Sequence, residues 1–387
     1  MGDATGKRMQ MLIASESKRA IVDENSFVRR VLIYRLGSLG DTIVSLPCLH
    51  MIARSFPRAE RRLLTNFPVQ SKAAAAQTIL DGSGLVHGYF SYTVGLRHFN
   101  KLLKLRHEIQ EWRPDVLVYL MPGRGIRNAR RDVMFFRSCG IARMIGVPTT
   151  QDRQHHRYRE TTGMMEPEAA RLARCVAELG DAKIDDPENW DLNLTAAELL
   201  AARTALAPVA KMPFIAFSIG TKLPVNDWGA TNWKMLLQRM AYLYQGYGLV
   251  IVGAPSEYGK SSEIAEGWKG IPSGGPVLNL CGQMQPRESA AVVSFAKLFI
   301  GHDSGPMHMA SAVRTPLVTI FSARNPAGVW FPQLGNNEVI YHDVECSGCL
   351  LERCTVQKMK CITSVSVEEV LGRVKAILPP KLVPMIA

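Results

Sequence analysis

Two short glycine-containing segments carry the residues whose chemistry is most distinctive. The first, RLGSLGDTIVSLP at 35–47, follows the apolar run VLIY at 31–34 and places Asp41 where a strand would pass into a helix. This loop lacks both the G-x-G-x-x-G spacing of dinucleotide-binding folds and a phosphate-loop lysine. Its glycines let a ligand approach the backbone closely. A carboxylate at this position repels phosphate but can accept a proton from a hydroxyl, so Asp41 is a candidate general base.

The second segment is FIGHDSGPMHMASAV at 299–313. Ser304 and Gly305 can cap a helix whose first position is Pro306, where the missing N–H is harmless. The backbone N–H groups of 305–308 and the helix dipole would then form an anion site suited to phosphate. Ser304 adds a hydroxyl and His308 lies one turn in, while Asp303 either fixes the loop or binds a ribose or sugar hydroxyl. The alternative interpretation is a plain capped helix.

Together the two segments could serve the two sides of one reaction. One serves a hydroxyl nucleophile and the other serves a phosphate leaving group, which is the chemistry of glycosyl transfer from a nucleotide sugar. The elements that must hold them are apolar runs alternating with helical patterns. The expected strands are 31–36, 60–66, 114–121, 142–147, 214–220, 248–253, 296–303 and 316–322.

This alternation predicts two doubly wound α/β domains, in which ligands sit at the carboxyl ends of the strands. The 387 residues suit two domains. We expect a flexible leader at 1–28, an acceptor-binding domain at 29–190, a linker at 191–212 and a donor-binding domain at 213–387. The cleft between the domains is then the default active site.

With both loops in view, the sequence resembles glycosyltransferase family 9, the ADP-heptose:lipopolysaccharide heptosyltransferases. RLGSLGDTIVSLP resembles the family's N-terminal signature, and GHDSGPMHMASAVRTPLVTIFSARNP resembles its donor loop. RMIGV and the cysteines near the C-terminus also match. The resemblance covers roughly 30–375 and implies a GT-B fold of two Rossmann-like domains facing across a cleft. It further implies inverting transfer, with no cofactor required beyond the nucleotide sugar, for which an ADP-sugar is favoured.

Carried over by residue, the resemblance makes Asp41 the general base and places Gly40 beside the acceptor. It assigns to the donor site Gly301, Asp303, Ser304, Gly305 and His308, with Met284 against the nucleotide base. The sequence departs from the family at 218–233, where Asn226 and Asp227 replace the lysine expected before Trp228. We expect Thr221 and Lys222 to neutralise the diphosphate instead.

Four cysteines follow the spacing C-x₂-C-x₄-C-x₆-C, namely Cys346, Cys349, Cys354 and Cys361. Thiolates this close together fit a structural zinc site. Free thiols, and disulfides formed on oxidation, are the alternatives that the spacing leaves open.

The net charge is +12, and arginines crowd the first half of the chain. A solvated basic surface and an anionic partner both explain this, the partner being an acidic glycan, lipid head groups or, least favoured, nucleic acid. Arg124 and Arg127 follow a predicted strand and are candidates for contacting an acidic acceptor glycan. The same basic half could rest on the inner face of the cytoplasmic membrane.

No apolar run reaches the length of a membrane span, and the N-terminus lacks a signal-peptide pattern, so we expect a cytoplasmic protein. The favoured function is transfer of a heptose or related sugar to a lipopolysaccharide-core-like or other cell-envelope glycan. The alternatives are a GT-B type sugar-nucleotide epimerase and a non-catalytic module that binds an anionic glycan.

Overall fold

The computed structural model describes residues 25–66, 75–92 and 99–380. The predicted leader, 1–28, lies outside the described residues except for its last four. Within the described ranges, no helix combines the length and apolar character needed to cross a bilayer.

The first half of the chain forms a parallel sheet of five strands in the order β3-β2-β1-β4-β5. Its central strands are buried on both faces, as their continuous apolar runs predict. The strands are β1 (Arg30–Tyr34), β2 (Glu60–Asn66), β3 (Gly88–Tyr92), β4 (Val116–Tyr119) and β5 (Arg143–Ile145). The order reverses between β1 and β4, so the loop after β1 lies at a topological switch point.

The second half forms a parallel sheet of six strands in the order β10-β9-β8-β11-β12-β13. These strands are β8 (Phe214–Ser218), β9 (Gly248–Ile251), β10 (Val277–Asn279), β11 (Leu298–His302), β12 (Leu317–Phe321) and β13 (Asn337–Tyr341). A short antiparallel pair, β6 (Tyr158–Arg159) and β7 (Met164–Met165), precedes this sheet. Here the switch point falls between β8 and β11, the strands that lead into the 218–233 and 301–308 segments.

Helices cover both sheets, which confirms the predicted doubly wound class. Those of the first half are α1 (Leu39–Ile43), α2 (Leu46–Ser55), α3 (Gln77–Leu80), α4 (Phe99–Trp112), α5 (Ile126–Ser138), α6 (Gln151–Gln154) and α7 (Glu168–Cys175). Those of the second are α8 (Ala196–Ala205), α9 (Ala230–Leu243), α10 (Tyr258–Lys269), α11 (Pro286–Ser294), α12 (Gly305–Ala312), α13 (Lys360–Thr363) and α14 (Val367–Ile377). Single 3₁₀ turns lie at Ala177–Leu179, Pro187–Trp190, Ala207–Val209, Pro224–Asn226 and Pro255–Glu257.

The two halves also pack against each other. The apolar core around β1 and α2 includes Met309 and Ala312 of α12, which belongs to the second sheet. Arg287 in α11 is buried and donates to the carbonyl oxygens of Ile79 and Leu192, each at 2.9 Å. Leu39 and Ile43 of α1 share this core, so α1 and α12 lie where the two halves meet.

Candidate functional site

The loop after β1 holds Asp41 by hydrogen bonds within its own turn. Oδ2 of Asp41 accepts from the backbone N–H of Ser38 at 2.7 Å and from its hydroxyl at 2.8 Å. Gly37 adopts φ +146°, and a Cβ at this position would lie 2.6 Å from that of Asp41. A side chain at Gly37 is therefore excluded twice, by conformation and by space. Asp41 remains partly exposed, with 30% of its side chain accessible.

Behind Asp41 lies a buried network of charged side chains. Arg35 donates to the carbonyl oxygens of Asp41 and Leu120, each at 2.7 Å, and its Nη2 lies 3.9 Å from Oδ1 of Asp41. Its Nη1 lies 3.7 Å from Oε1 of the buried Glu168. Glu168 is in turn bridged by Arg171 through two hydrogen bonds of 2.7 Å. The network thus connects the candidate base to α7.

The ionised form of Glu168 is strongly favoured in this network. Burial by itself would raise the pKa of Glu168. The hydrogen bonds from Arg171 and His156 and the charges of Arg171 and Arg35 overcome that effect and lower it to about 2. Glu168 is therefore a carboxylate at neutral pH and balances the buried guanidinium groups.

The second loop places its polar groups at the carboxyl end of β11. The hydroxyl of Ser304 is buried and has no hydrogen-bond partner among the described residues. The N–H groups of Met307 and His308 donate to the carbonyl of Ser304, at 3.1 and 3.3 Å. Pro306 has no N–H, so the predicted row of outward N–H groups at 305–308 is wrong except at Gly305. The anion site is reduced to that N–H, the Ser304 hydroxyl and the dipole of α12.

The two loops meet directly. A Cβ on Gly40 would lie 2.9 Å from Cδ2 of His308, and one on Gly305 would lie 3.2 Å from Cδ2 of Leu39. Two glycines therefore allow α1 and α12 to approach each other across the halves. The structure brings Gly40, Asp41, Gly305 and His308 into one group, as the two-loop prediction requires.

The electrostatics of this group favour uncharged forms on the side of the second loop. Burial raises the pKa of Asp303 to about 7, against the opposing charge of Arg324 and with a further rise from Asp41. Burial also lowers the pKa of His308 to about 4, although Asp41 opposes that shift. At neutral pH His308 is an uncharged imidazole, and Asp303 is divided between its acid and carboxylate forms.

The 218–233 segment is fixed by a buried histidine. The N–H of Trp228 donates to Nε2 of His302 at 3.0 Å, so Nδ1 carries the proton that bonds the carbonyl of Ile219 at 3.1 Å. Asn226, where the family lysine is expected, is buried, and its amide accepts from Ser322 at 2.5 Å. Asp227 pairs with Lys260 at 2.8 Å.

Thr221 and Lys222 are the two donor-binding residues predicted in this segment, and Lys222 is the charged one. Lys222 is exposed at the carboxyl end of β8. The hydroxyl of Thr221 donates to the carbonyl of Leu223 at 3.1 Å, within its own turn. Any contact of Thr221 with a ligand would therefore use the remaining lone pair of its oxygen.

Glu257 was not predicted and lies in the same region. A Cβ on Gly220 or on Gly253 would lie 2.3 Å from one of its carboxylate oxygens. Oε2 accepts from the N–H of Ala254 at 3.0 Å. The carboxylate therefore spans the carboxyl ends of β8 and β9, where doubly wound folds bind the ribose of a nucleotide. The sequence signal is GAPSE, a helix start directly after a buried strand.

On the side of the first sheet, the two predicted acceptor arginines differ. Nη2 of Arg124 lies 2.6 Å from Oδ2 of the buried Asp132 and 3.3 Å from the hydroxyl of Tyr119. Arg124 is therefore largely engaged within the protein. Arg127, in the first turn of α5, is exposed. Both follow β4, on the same sheet edge as Asp41.

Met284 lies apart from the residues around Asp41. It lines a groove of about 620 Å³ together with residues of α8, including Leu200 and Thr204. No residue of the 301–308 segment lines this groove. Outside the groove, Met284 packs against the apolar cluster that contains Met307 of that segment.

The expected zinc site is not supported. All four cysteines of the C-terminal cluster are free thiols, and Cys361 is buried while Cys346, Cys349 and Cys354 are partly exposed. Across the described ranges, no three His, Cys, Asp or Glu side chains are arranged to hold a metal ion. The sulfur of Cys354 instead accepts from the N–H of Met359 at 3.2 Å. Short sequence spacing did not bring the four sulfurs to one point.

The fold and the paired loops define a protein of the GT-B type, and similarity to known proteins narrows the class. The model of glycosyltransferase family 9 (heptosyltransferase) matches residues 153–360. The chain belongs to this family. The resemblance inferred from the two loops is thereby confirmed.

Individual relatives agree with the family. Lipooligosaccharide heptosyltransferase 2 of Campylobacter jejuni is 28% identical over 104 residues, which are 27% of this chain and 33% of the relative. The match thus spans about a third of the length of these curated relatives.

Solved structures share the fold over most of the chain. The family 9 glycosyltransferase of Veillonella parvula aligns with a TM-score of 0.67 and 17% identity, covering 90% of this chain and 97% of that one. ADP-heptose lps heptosyltransferase II of E. coli aligns with a TM-score of 0.61 and 17% identity, covering 90% and 98%. The predicted GT-B architecture is therefore confirmed.

Proposed function

We propose that this protein is an inverting glycosyltransferase that moves a heptose or related sugar from an ADP-linked donor to a hydroxyl of a lipopolysaccharide-core-like acceptor. The observation that carries the proposal is the contact between Gly40 and His308. It brings a partly exposed carboxylate from one sheet beside the donor-type loop of the other. Family membership favours glycosyl transfer over an epimerase or a non-catalytic module. The relatives are heptosyltransferases, one of them named for ADP-heptose, which favours heptose and ADP.

In this proposal Asp41 is the general base. The acceptor oxygen attacks the anomeric carbon while its proton passes to the carboxylate of Asp41. The bond between that carbon and the diphosphate oxygen breaks, and the nucleoside diphosphate leaves on the opposite side. A single displacement of this kind inverts the anomeric configuration. Base assistance is typically worth about 10²–10⁴-fold in rate.

The second half of the chain, 213–387, would hold the donor. The Ser304 hydroxyl, the Gly305 N–H and the α12 dipole face the diphosphate, and Lys222 adds the positive charge that the family lysine supplies elsewhere. Gly301 lets the backbone pass close to the ligand. Asp303 and Glu257 would bind sugar or ribose hydroxyls.

Around this donor site, Thr221 supports the loop that carries Lys222, and His308 offers an uncharged imidazole. Met284 would reach the nucleotide base only if the base extends toward the groove beside α8. The donor is a substrate, and the proposal calls on no further cofactor. The first half, 29–190, would hold the acceptor, with Gly40 beside the attacking hydroxyl, Arg127 facing acidic groups and Arg124 shaping the loop.

Two measurements test the proposal together. A thermal-shift panel of ADP, UDP, GDP and CMP with their sugars should show a selective rise in melting temperature with ADP or an ADP-sugar, because a ligand of the native state stabilises it. Asp41→Asn should keep that shift and lose at least about 10²-fold in turnover. Lys222→Ala should weaken the shift.

The outcomes separate the candidate functions. A shift with a different nucleotide would keep the mechanism and change the donor. Binding of a nucleotide sugar with equal turnover in wild type and Asp41→Asn would refute the role of the base. Unchanged donor affinity in Lys222→Ala would refute the charge clamp, and Lys211→Ala, at an exposed lysine outside these loops, is the matched control.

A further inference from the structure

Three polar side chains form a hydrogen-bonded array in the second half of the chain, and none of them belongs to the proposed transfer site. Oγ of Ser364 lies 2.7 Å from Nδ1 of His342. Nε2 of the same imidazole lies 3.1 and 3.0 Å from the two carboxylate oxygens of Glu369. A hydroxyl, an imidazole and a carboxylate joined in this order are the groups that activate a serine as a nucleophile.

The carboxylate of Glu369 fixes which ring nitrogen of His342 carries the proton. A carboxylate only accepts hydrogen bonds, so Nε2 donates to it. In the neutral imidazole Nδ1 then carries no proton and accepts from the hydroxyl of Ser364. The imidazole is therefore in the tautomer that can remove the proton of the serine.

The hydroxyl of Ser364 has a different kind of partner from the hydroxyl beside it. The hydroxyl of Thr363 donates to the carbonyl of Met359, one turn back, at 3.1 Å. This is a common local partner of a serine or threonine in a helix. The hydroxyl of Ser364 instead meets a side chain 22 positions away in the chain. Its hydrogen bond therefore depends on the fold and not on the local helix geometry.

Each member of the array is carried by an element that packs on one apolar core. His342 directly follows β13, Ser364 directly follows α13, and Glu369 lies in the first turn of α14. Buried side chains next to all three belong to one apolar cluster, namely Ile340, Val365 and Val370. The three elements therefore hold the array in place before any ligand binds.

The array is open to solvent on one side. Ser364 is exposed, and the side chains of His342 and Glu369 are 30% and 31% accessible. Val367, the first residue of α14, follows three positions after Ser364, and its N–H has no acceptor within the helix. This N–H and the positive end of the helix dipole can stabilise negative charge that develops on a carbonyl oxygen. A carbonyl group can reach the hydroxyl from the solvent side.

We propose that Ser364, His342 and Glu369 form a second active site, which hydrolyses small acyl esters through an acyl-serine. Oγ of Ser364 attacks the ester carbonyl while its proton passes to Nδ1 of His342. The bond to the alcohol oxygen breaks, and the alcohol leaves with that proton. Water then attacks the acyl-serine and gives a proton to Nδ1, which returns it to Oγ as the carboxylic acid leaves. Glu369 positions the imidazole and balances its charge while it is protonated.

The surroundings of Ser364 define the class of ester. Its exposed neighbours Thr363 and Ser366 are polar and give a long acyl chain no apolar surface to bind. Because the hydroxyl lies at the surface, a short acyl group that projects from a larger molecule reaches it as readily as a small free ester does. The expected substrate is therefore an ester of a short acyl group such as acetyl. Water is the only co-reactant, and the reaction is independent of sugar transfer.

A fluorophosphonate probe tests the nucleophile, because it reacts covalently with hydroxyl groups that a neighbouring base activates. Mass spectrometry of the labelled full chain and of its peptides should place the adduct on Ser364. Ser364→Ala should remove this adduct, and His342→Gln should slow its formation about 10²-fold or more. Thr363→Ala removes the adjacent hydroxyl and is the matched control, with the wild-type labelling rate expected. No adduct on Ser364 would overturn the proposal.

Hydrolysis of p-nitrophenyl acetate separates a serine nucleophile from an imidazole that acts alone. The wild type should accumulate acetyl-Ser364 during turnover, and Ser364→Ala should lose both this species and the activity. His107→Gln removes an exposed imidazole that lies 3.2 Å from Glu111, and it should hydrolyse the ester at the wild-type rate. Equal hydrolysis by Ser364→Ala and wild type would overturn the acyl-serine step. These assays contain no nucleotide sugar, so their outcome does not depend on the proposed transferase.

The positioning role of Glu369 has its own readout in the protonation of the imidazole. Nitrogen-15 NMR of the histidine rings should show His342 protonated at Nε2 in the wild type. In Glu369→Gln the new amide can donate to Nε2, so part of the proton should move to Nδ1, and phosphonylation of Ser364 should slow about tenfold or more. The melting temperature should change little, because the side chain is partly exposed. An unchanged tautomer with an unchanged labelling rate would overturn the role of Glu369.

Discussion

Gly40→Ala tests the contact on which the proposed site depends. The new Cβ would lie 2.9 Å from Cδ2 of His308 and 3.5 Å from its Nε2. Carbon atoms in ordinary contact stand about half an ångström or more further apart, so α1 and α12 must separate by about that amount. Overpacking of this size costs about 1–3 kcal/mol, against a gain of about 0.5–1 kcal/mol from replacing glycine within a helix. A net penalty of about 1–2 kcal/mol is expected for the arrangement in which α1 and α12 are in contact.

If catalysis uses the arrangement in which α1 and α12 are in contact, that penalty lowers the population of this arrangement, relative to one in which they are separated, about 5–30-fold. We expect kcat/KM to fall by this factor and the free energy of urea unfolding to fall by no more than the same penalty of about 1–2 kcal/mol, because α1 and α12 share one apolar core between the halves. Gly372→Ala in α14 is the matched control: nothing lies within 4 Å of its added Cβ, and kcat/KM should stay at the wild-type value. A kcat/KM within twofold of wild type for Gly40→Ala would refute the argument that the two loops work in contact.

Two further predictions concern buried charge. Glu168→Gln should destabilise the protein by about 3–5 kcal/mol at pH 7, because it leaves the guanidinium of Arg171 buried without its counter-ion. The pKa of Glu168 is lowered to about 2, so the wild-type advantage is full above about pH 4.5 and shrinks as pH falls toward 2. Urea unfolding at pH 7 and pH 3 measures this, with the exposed Glu178→Gln as control, and a gap that does not narrow at low pH would contradict it. Asp303→Asn should stabilise the protein by roughly 2–4 kcal/mol at pH 8 and have little effect near pH 4, because ionising a carboxyl whose pKa is raised to about 7 costs stability as pH rises. The same series of urea unfolding measurements tests this prediction. Equal stability of Asp303→Asn and wild type at pH 8 would show that ionisation of the Asp303 carboxyl does not destabilise the protein.

Central strands were predictable because burial on both faces leaves a continuous apolar run. ERRLLTN, for example, is β2 without a change at either end. Five strands were missed in the sequence. β3, β10 and β13 lie at sheet edges and are only partly buried, so their residues are mixed, and β6 and β7 form a separate pair of two residues each. Helix starts were predictable where capping chemistry is local, as with Thr195 and Glu198 at the start of α8.

How far the site could be predicted depends on how local its interactions are. Asp41 and Ser304 could be selected because the turn chemistry that presents them lies within a few residues. The pairing of Arg35 with Glu168 joins residues 133 positions apart, and only the fold brings them together. The cysteines show the reverse error: their short spacing predicted a zinc site, but within the described ranges no three metal-ligating side chains are arranged to hold an ion.

The chemistry of Asp41 depends on which of its two carboxylate oxygens takes part in hydrogen bonds within the loop. Oδ2 is used to cap Ser38, which fixes the orientation of the carboxylate, and Oδ1 keeps only the distant charge of Arg35 at 3.9 Å. Arg35 contacts Glu168, whose own backbone N–H donates to the carbonyl of Val329 in the second half of the chain at 2.9 Å. The carboxylate that we propose as the base is thus oriented by its own turn and connected, through the buried charges of Arg35 and Glu168, to the half that would hold the donor. A carboxylate in a glycine loop is a poor phosphate ligand. A carboxylate held in this way can instead accept the proton of an attacking hydroxyl while the phosphate group leaves on the other side of the cleft.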